Sequence, residues 1–239
     1  MPGTIAPAAV VFDLDGVLID SEQSWDRARR EVVHDRGGHW ADDATRAMMG
    51  MSAPEWSRYM REALGVSLSD AEVDRAVVER LLDSYAHSLP VIPGAVAAVR
   101  VLAGVWPLGL ASSSDRVVID AVLDGLQLRE CFRAVVSTED VAHGKPAPDV
   151  YLAVTRKLGV DPHTAAAVED SANGLLSAAR AGLTPVAVPN RQYPPSDEAL
   201  ALAAVSLSSI VELTPSVVTE ACRRAHRPPS APGGAPGSA

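Results

Sequence analysis

Cysteine is nearly absent from this chain. Its 239 residues include only Cys131 and Cys222, and neither belongs to a C-x-x-C pair. Disulfide scaffolds and cysteine-based zinc sites need several thiols at short spacings, so the sequence argues against both classes of protein. Two isolated thiols suit a reducing compartment, and we expect a cytoplasmic protein.

Long apolar runs and an N-terminal targeting signal are also missing. No apolar run approaches the ~20 residues that a membrane-spanning helix needs. The segment from Met1 to Ala9 has no charged start and leads directly into an apolar run, which is not the pattern of a signal peptide. We therefore expect no membrane partner.

An excess of positive charge is lacking as well. The net charge is −9, whereas nucleic-acid binding requires a basic face, so we expect no nucleic-acid partner. A phosphorylated small molecule stays compatible with this charge, because a metal ion and local groups set the potential inside a site. With 47% hydrophobic and 21% charged residues, the composition is that of a soluble globular protein, and we expect a monomer.

The apolar segments that are present predict an α/β protein. The run from Ala8 to Phe12 is typical of a buried strand. From Pro90 onward, short apolar strands alternate with amphipathic helices, which is the pattern of a parallel sheet covered on both faces. We predict a Rossmann-like core formed by residues 1–20 and 90–226. Its further strands are predicted at 106–111, 134–137, 165–168, 184–188 and 205–210.

Between the two parts of this core the sequence predicts helices only. Residues 21–89 form a predicted helical subdomain, in which Ser21 is a candidate N-cap and capping boxes begin at Ser52 and Ser69. The last residues, 227–239, are almost all Pro, Gly, Ala and Ser. They cannot bury enough apolar surface to offset the entropy of ordering, so we predict a disordered tail.

The first strand ends on two aspartates, Asp13 and Asp15, followed by Gly16. Side chains at i and i+2 of a strand project to the same side, and open α/β sheets place their sites at the carboxyl ends of strands. Two adjacent carboxylates repel unless a cation or a shared proton relieves them. Mg²⁺ binds such carboxylates together with phosphate oxygens and water. The alternative is a surface turn, in which Asp and Gly are also common.

Three later segments bring polar groups to the same edge of the predicted sheet. These are Ser112 after one strand, Lys145 in a proline-rich loop, and Glu169 with Asp170 after another strand. Each has a structural alternative: Ser112 as a helix N-cap, Lys145 as a solvated side chain, and the acidic pair as a helix cap. Together, in this order, they predict a site for phosphoryl transfer.

The chemistry of the residues suggests their roles. Asp13 is the predicted nucleophile, because a carboxylate can form an aspartyl-phosphate and split one displacement into two easier ones. Asp15 is the predicted general acid and base. Asp170, helped by Glu169, would complete a Mg²⁺ shell with Asp13 and a backbone carbonyl near Asp15.

A second group of residues is predicted to hold the phosphoryl group. Lys145 would neutralise the charge on its oxygens, while Ser112, Ser113 and the amides that start the next helix would donate hydrogen bonds to them. In-line positioning and charge stabilisation are the main requirements of phosphoryl transfer. The predicted substrate is therefore a small phosphomonoester.

Four segments resemble the four motifs of the haloacid dehalogenase-like (HAD) phosphohydrolases. They are 13–21 (DLDGVLIDS), 110–114 (LASSS), 144–149 (GKPAPD) and 168–174 (VEDSANG). The resemblance covers roughly residues 9–212 and implies a HAD fold, in which a helical cap of the C1 type follows the first motif. It also implies that Asp13, Asp15 and Asp170 are the Mg²⁺ residues.

Within this family, the segments 20–22 (DSE) and 25–28 (WDRA) are most similar to the sugar-phosphate phosphatases. The resemblance implies a Mg²⁺-dependent phosphatase acting on a sugar phosphate. We also hypothesise that Trp25, Met49, Met51 and Trp56 include residues facing the substrate. The alternative is that these four form the core of the cap.

β-Phosphoglucomutases are similar too, so a phosphomutase is the alternative function. In those mutases an arginine that binds a second phosphate follows a Gly-x-Ser turn, where this chain has Ala53, and a histidine tends to stand where it has Trp25. Arg58, one turn further on, could replace that arginine. Asp115 beside the phosphate loop also disfavours a second phosphate. The sequence thus favours a phosphatase, and a catalytically silent binding protein is a third possibility that four intact motifs argue against.

Overall fold

One parallel sheet lies between two layers of helices. The computed structural model describes residues 6–48, 51–190 and 194–226. Within them the sheet has six strands in the order β3-β2-β1-β4-β5-β6. The strands are β1 (Ala9–Phe12), β2 (Leu108–Ser112), β3 (Phe132–Ser137), β4 (Ala165–Glu169), β5 (Thr184–Ala187) and β6 (Val205–Ser206). This architecture confirms the predicted α/β fold.

Four helices follow β1 before the chain returns to the sheet: α1 (Glu22–Asp35), α2 (Ala44–Met48), α3 (Ala53–Glu62) and α4 (Asp70–His87). The helices that alternate with the later strands are α5 (Ala95–Ala103), α6 (Arg116–Gly125), α7 (Asp149–Leu158), α8 (Ala172–Arg180), α9 (Asp197–Leu200) and α10 (Pro215–Ala225). No helix of the described ranges is long and apolar enough to cross a membrane.

Strand β1 holds the centre of the core. Its side chains alternate between the two faces of the sheet, as the pleat requires. Val10 and Phe12 pack into a cluster that includes residues of α5, α6 and α10, whereas Ala9 and Val11 pack against α7 and α8. Because β1 is buried on both faces, its sequence is a continuous apolar run rather than an alternating one.

The register of the sheet aligns the strand ends. Phe12 pairs with Leu110 of β2 on one side and with Val168 of β4 on the other. The residues that follow these three positions therefore leave the sheet at the same edge. This alignment is the reason why segments about 100 and 155 residues apart in the chain can form one site.

The inserted helices pack on one another through α4, which contacts both α1 and α3. Capping boxes start α3 and α4 as predicted, since the backbone N–H of Ser52 donates to Glu55 Oε2 at 2.7 Å and that of Ser69 to Glu72 Oε2 at 2.9 Å. Between 21 and 89, the described residues contain no β-strand that belongs to the sheet.

Two local predictions need correction in detail. Ser21 stands at the N-cap of α1 as predicted, but its side chain makes no capping hydrogen bond and donates to Asp15 instead. The last strand was predicted over 205–210, yet β6 ends at Ser206, and a 3-10 turn begins at Ile210 because Ser209 Oγ accepts the N–H of Val211. The predicted tail, 227–239, lies outside the described residues.

Candidate active site

The turn after β1 places Asp13 against the neighbouring strand. The backbone N–H of Asp13 donates to the carbonyl of Val168 at 3.0 Å, which continues the ladder between β1 and β4 by one residue. Gly16 has a φ of +74°, and a Cβ there would lie 1.9 Å from Oδ2 of Asp170. Only glycine meets both conditions, so Gly16 makes room for the carboxylate that arrives from β4.

Asp13 and the acidic pair that ends β4 meet as predicted. Asp13, Glu169 and Asp170 are all buried. Each has a carboxylate oxygen that lies within 4.8 Å of a carboxylate oxygen of the other two. Burial first, and then the charge of Glu169, raises the pKa of Asp13 to about 7. The same two causes raise the pKa of Asp170 well above its ordinary value.

Lys145 supplies the positive charge of this cluster. Its Nζ lies 2.9 Å from Oδ1 of Asp13 and 2.6 Å from Oε1 of Glu169, and it donates to the carbonyl of Ala111 at 3.0 Å. The contact with Asp13 is therefore a buried ion pair. Burial lowers the pKa of Lys145, but the two carboxylates outweigh it and raise that pKa, so the side chain stays charged.

The donor set fits a hard divalent cation. Three buried carboxylates face a single ammonium group, which leaves an excess of negative charge. Carboxylate oxygens are the type of ligand atom that Mg²⁺ prefers. A bound cation would relieve the repulsion that raises the two aspartate pKa values.

Glu169 is more fully engaged than its partners. Its Oε1 accepts from Lys145 and from the hydroxyl of Tyr151, both at 2.6 Å. Its Oε2 accepts from the N–H of Asp170 at 3.2 Å and from Ser171 Oγ at 3.3 Å. These contacts make Glu169 an anchor for Lys145.

Tyr151 is a site residue that the sequence analysis missed. It lies among the buried residues of the helix α7, next to Val150 and one turn before Val154, and its ring is fully buried. Its hydroxyl, however, reaches across to Glu169, and Lys145 Nζ lies 5.2 Å from the centre of its ring. Burial raises the pKa of Tyr151, so its hydroxyl remains a donor. The only available signal was one hydroxyl on an otherwise apolar helix face.

Asp15 lies beside the cluster with partners of its own. Its Oδ1 accepts from Ser21 Oγ at 2.5 Å and from Trp25 Nε1 at 3.3 Å, and its Oδ2 accepts from Ser114 Oγ at 2.6 Å. Donors from the helical insert and from the β2–α6 loop therefore hold the Asp15 carboxylate from two sides. The carboxylate oxygens of Asp15 point to these donors.

The serines after β2 differ in position. Ser112 is fully buried, and its Oγ accepts the N–H of Ser114 at 3.0 Å. The N-cap of α6 is Asp115, so the alternative role of Ser112 as the N-cap is wrong. Ser113 and Ser114 line the cavity in front of the cluster. A phosphate-binding role for Ser112 and Ser113 stays a prediction.

A cavity of about 660 Å³ opens over these groups. Its floor includes Asp13, Asp15, Lys145 and Asp170, and its other wall comes from the inserted helices. Three of the four residues hypothesised to face the substrate line it, whereas Met49 lies outside the described residues. The three are Trp25, Met51 and Trp56.

Fold and site together define a class of protein. A central strand followed by two carboxylates, with a buried lysine and an acidic pair from later segments, is an arrangement that suits phosphoryl transfer. The model of the haloacid dehalogenase-like hydrolases matches residues 7–182. The chain belongs to this family and is a hydrolase, which confirms the resemblance seen in the four motifs.

Known relatives are phosphatases and proteins of the same fold. Hexitol phosphatase B of Escherichia coli (strain K12) is 36% identical over 212 residues, or 86% of this chain and 94% of the relative. Fructose-1-phosphate phosphatase YqaB of the same organism is 32% identical over 190 residues, or 76% and 96%. The crystal structure of CbbY from Rhodobacter sphaeroides with phosphate superposes with a TM-score of 0.78 at 29% identity, covering 87% of this chain and 96% of that one.

Proposed function

We propose that this enzyme is a Mg²⁺-dependent phosphatase that hydrolyses a small sugar phosphate through an aspartyl-phosphate on Asp13. The observation that carries the proposal is the buried cluster of Asp13, Lys145 and Asp170 on the floor of a cavity of small-molecule size. The names of two relatives, a hexitol phosphatase and a fructose-1-phosphate phosphatase, support a sugar phosphate as the substrate class.

In the proposed first step, a carboxylate oxygen of Asp13 attacks phosphorus in line with the leaving oxygen. Lys145 is held next to Asp13 and can stabilise the charge of the phosphoryl oxygens. The carboxylates of Asp13 and Asp170, with a backbone carbonyl near Asp15, would hold Mg²⁺, and the bound ion would supply further charge neutralisation. Ser112, Ser113 and the amides of their loop are the proposed hydrogen-bond donors to those oxygens.

Asp15 is the proposed acid and base. It would protonate the leaving oxygen and later take a proton from the water that attacks the aspartyl-phosphate, which restores Asp13. The donors Ser21, Trp25 and Ser114 fix the orientation of the Asp15 carboxylate. A fixed orientation matters because the same group acts in both half-reactions.

We propose that residues 21–89 act as a cap on a core made of 1–20 and 90–226. The cavity wall from these helices supports this division, because closing it over the core would exclude water until the second step. We further propose a cytoplasmic monomer without a nucleic-acid partner, in keeping with the net charge of −9.

The side chains argue against a mutase. Ala53, where the mutases carry an arginine, lines the cavity. Arg58 cannot take over that role from its present position, since its side chain is 61% exposed and faces Asp70 at 3.9 Å. A mutase must hold two phosphates, and neither Ala53 nor Arg58 offers a guanidinium to the cavity for the second one. Arg29 and Arg46 do line the cavity, but together with Asp20, Glu22 and Asp115.

Hydrolysis of p-nitrophenyl phosphate with Mg²⁺ tests the proposal. We expect turnover by the unaltered enzyme, its loss with EDTA, and its loss in Asp13→Asn, which removes the nucleophile while keeping the shape of the side chain. Asp42→Asn, the same change at an exposed position, is the matched control. Equal rates for Asp13→Asn and the unaltered enzyme would refute the covalent mechanism. Turnover of β-glucose 1-phosphate only in the presence of a bisphosphate would instead identify a mutase.

A further inference from the structure

A buried cation forms part of the cavity wall. Glu22, Trp25 and Arg29 are spaced by three and four residues on α1, so they share one face of the helix, and all three line the cavity. Arg29 is only 8% exposed. Its Nε is buried, and no described residue accepts a hydrogen bond from it.

Two indole rings hold this guanidinium in place. Cζ of Arg29 lies 5.2 Å from the centre of the Trp25 ring and 5.2 Å from that of Trp56, and the two rings are 6.1 Å apart. Contact with ring faces stabilises the charge, but it cannot satisfy N–H groups that lie in the plane of the guanidinium. The guanidinium therefore lies against two rings, and its Nε–H still lacks an acceptor.

An acceptor in the same wall is also unsatisfied. Oε1 of Glu22 is buried and has no hydrogen-bond partner among the described residues. Burial raises the pKa of Glu22, and the charge of Arg29 opposes that shift. No ion pair within the described chain joins the two side chains, although each would gain from one. Buried polar atoms without partners cost stability, so their presence at a cavity calls for an explanation.

We propose that Arg29 and Glu22 bind hydroxyl groups on the uncharged end of the substrate, with a side-chain rotation that turns the buried Nε–H and Oε1 to the cavity. This inference rests on the proposed phosphatase function and adds its specificity-determining residues. A hydroxyl both donates and accepts, so a donor and an acceptor on one wall match a polyhydroxylated chain or ring. A site that hydrogen-bonds a substrate hydroxyl also rejects analogues that lack it, because its buried groups are then left unpaired.

The charge around Arg29 disfavours a second phosphate as the occupant. Away from the metal cluster, the carboxylates of Asp20, Glu22 and Asp115 line the same cavity, against the guanidinium groups of Arg29 and the exposed Arg46. The carboxylates of Glu22, Asp26 and Asp15 stabilise the positive charge of Arg29 and oppose the lowering of its pKa by burial. A neutral hydroxylated group meets no net repulsion in this environment, whereas a second dianion would.

The test compares two substrates across matched variants. Values of kcat/KM are measured for a hexitol phosphate and for p-nitrophenyl phosphate, which has no hydroxyls, with the unaltered enzyme, Arg29→Gln and Glu22→Gln. We expect each variant to lose at least ten times more kcat/KM on the hexitol phosphate than on p-nitrophenyl phosphate, mainly through KM. Arg27→Gln, the same change at an exposed position of α1, should show no such difference.

Deoxy analogues of the hexitol phosphate identify the contact. If Arg29 binds a particular hydroxyl, the analogue lacking that hydroxyl shows a smaller loss on Arg29→Gln than the parent does. Equal losses on both substrates would mean that Arg29 is only structural and would overturn the proposal. A larger loss on a sugar bisphosphate than on the monophosphate would overturn it in favour of a second phosphate.

The two proposals fail in different ways. If the unaltered enzyme hydrolyses p-nitrophenyl phosphate but no polyol or sugar phosphate, the hydroxyl-binding proposal fails and the phosphatase activity stands. If it hydrolyses neither, both fail. Far-UV circular dichroism of the variants checks that a loss of activity does not come from unfolding.

Discussion

At the scale of single residues, the site depends on a series of contacts that starts from a residue outside the reacting groups. Tyr151 donates to Glu169, Glu169 holds Lys145, and Lys145 lies against Asp13. Tyr151 touches no reacting atom, so its role is to position Lys145 through Glu169. Residues of this kind often affect activity as strongly as direct ligands do.

Tyr151→Phe removes one hydroxyl and keeps the ring. We expect kcat to fall by about 10–100-fold with a small change in KM, because Lys145 loses its fixed position. We also expect the free energy of unfolding to fall by about 1.5–3 kcal/mol, the range for a hydrogen bond to a charged group. Steady-state kinetics and urea unfolding measure the two effects. A loss of stability with unchanged kcat would show that Tyr151 does not position Lys145.

Gly174 is required for space rather than for its backbone angles. A Cβ at this position would lie 1.9 Å from Oε2 of Glu169. We expect Gly174→Ala to lower the free energy of unfolding by about 1–3 kcal/mol, as overpacking does, and to reduce activity by displacing Glu169. Gly104→Ala is the control, since a Cβ there meets its nearest atom at 3.4 Å. Equal melting temperatures for the two variants would contradict the requirement for space at Gly174.

At the scale of elements, helix α6 begins beside a group of acids. Its N-cap Asp115 is part-buried, and burial first, then the charges of Asp74 on α4 and Glu139 after β3, raise the pKa of Asp115 to about 7. Glu139 Oε2 accepts the N–H of Arg116 at 2.6 Å, so it is fixed at this helix end. The contact between an inserted helix and the core therefore contains three carboxylates.

This arrangement makes stability depend on pH. The unfolded chain releases the Asp115 proton near the ordinary pKa of 3.8, but the folded protein releases it only near 7. The Asp115 contribution to the free energy of unfolding therefore falls as pH rises from 3.8 to about 7 and stays low above that. We expect Asp115→Asn to be more stable than the unaltered protein at pH 8 and to differ less at pH 5. Thermal unfolding at both values measures this, with exposed Asp42→Asn as the control; equal differences at the two values would contradict the assignment.

At the scale of the whole molecule, one edge of the sheet brings three buried carboxylates and one buried ammonium group together. This uncompensated charge destabilises the folded protein, and a cation bound only to the folded state reverses the effect. Binding of a metal at the proposed site would therefore be linked to stability through the same residues.

Mg²⁺ should raise the melting temperature. At a concentration of 100 times its Kd it adds about 2.7 kcal/mol, which corresponds to about 5–10 °C for a chain of this size. We expect Asp170→Asn to lose most of this increase and Asp42→Asn to keep it. Differential scanning calorimetry with and without Mg²⁺ measures the shift. An increase of the same size in Asp170→Asn would place the metal elsewhere.

Much of the site follows from local sequence. The apolar run before Asp13, the segment at Ser112, the loop with Lys145 and the pair at Glu169 and Asp170 each lie where they were predicted, because strand ends and motif spacing are local properties. The end of β6 was predicted wrongly, and Ser21 occupies the predicted N-cap of α1 but turns its hydroxyl to Asp15. Serine side chains form such hydrogen bonds in competition with regular structure, and the sequence pattern does not show which partner they take.

What the sequence determined by itself is the α/β order of the elements and the family, and it also named the candidate residues for the chemistry. Only the tertiary structure decided which partners those residues have: Ser114 reaches Asp15 across 99 positions, Tyr151 turns its hydroxyl to Glu169, and Arg29 faces a cavity without a hydrogen-bond partner for its Nε. The physical reason is that burial and partner distance depend on how distant elements pack. A pattern of neighbouring residues records neither of them.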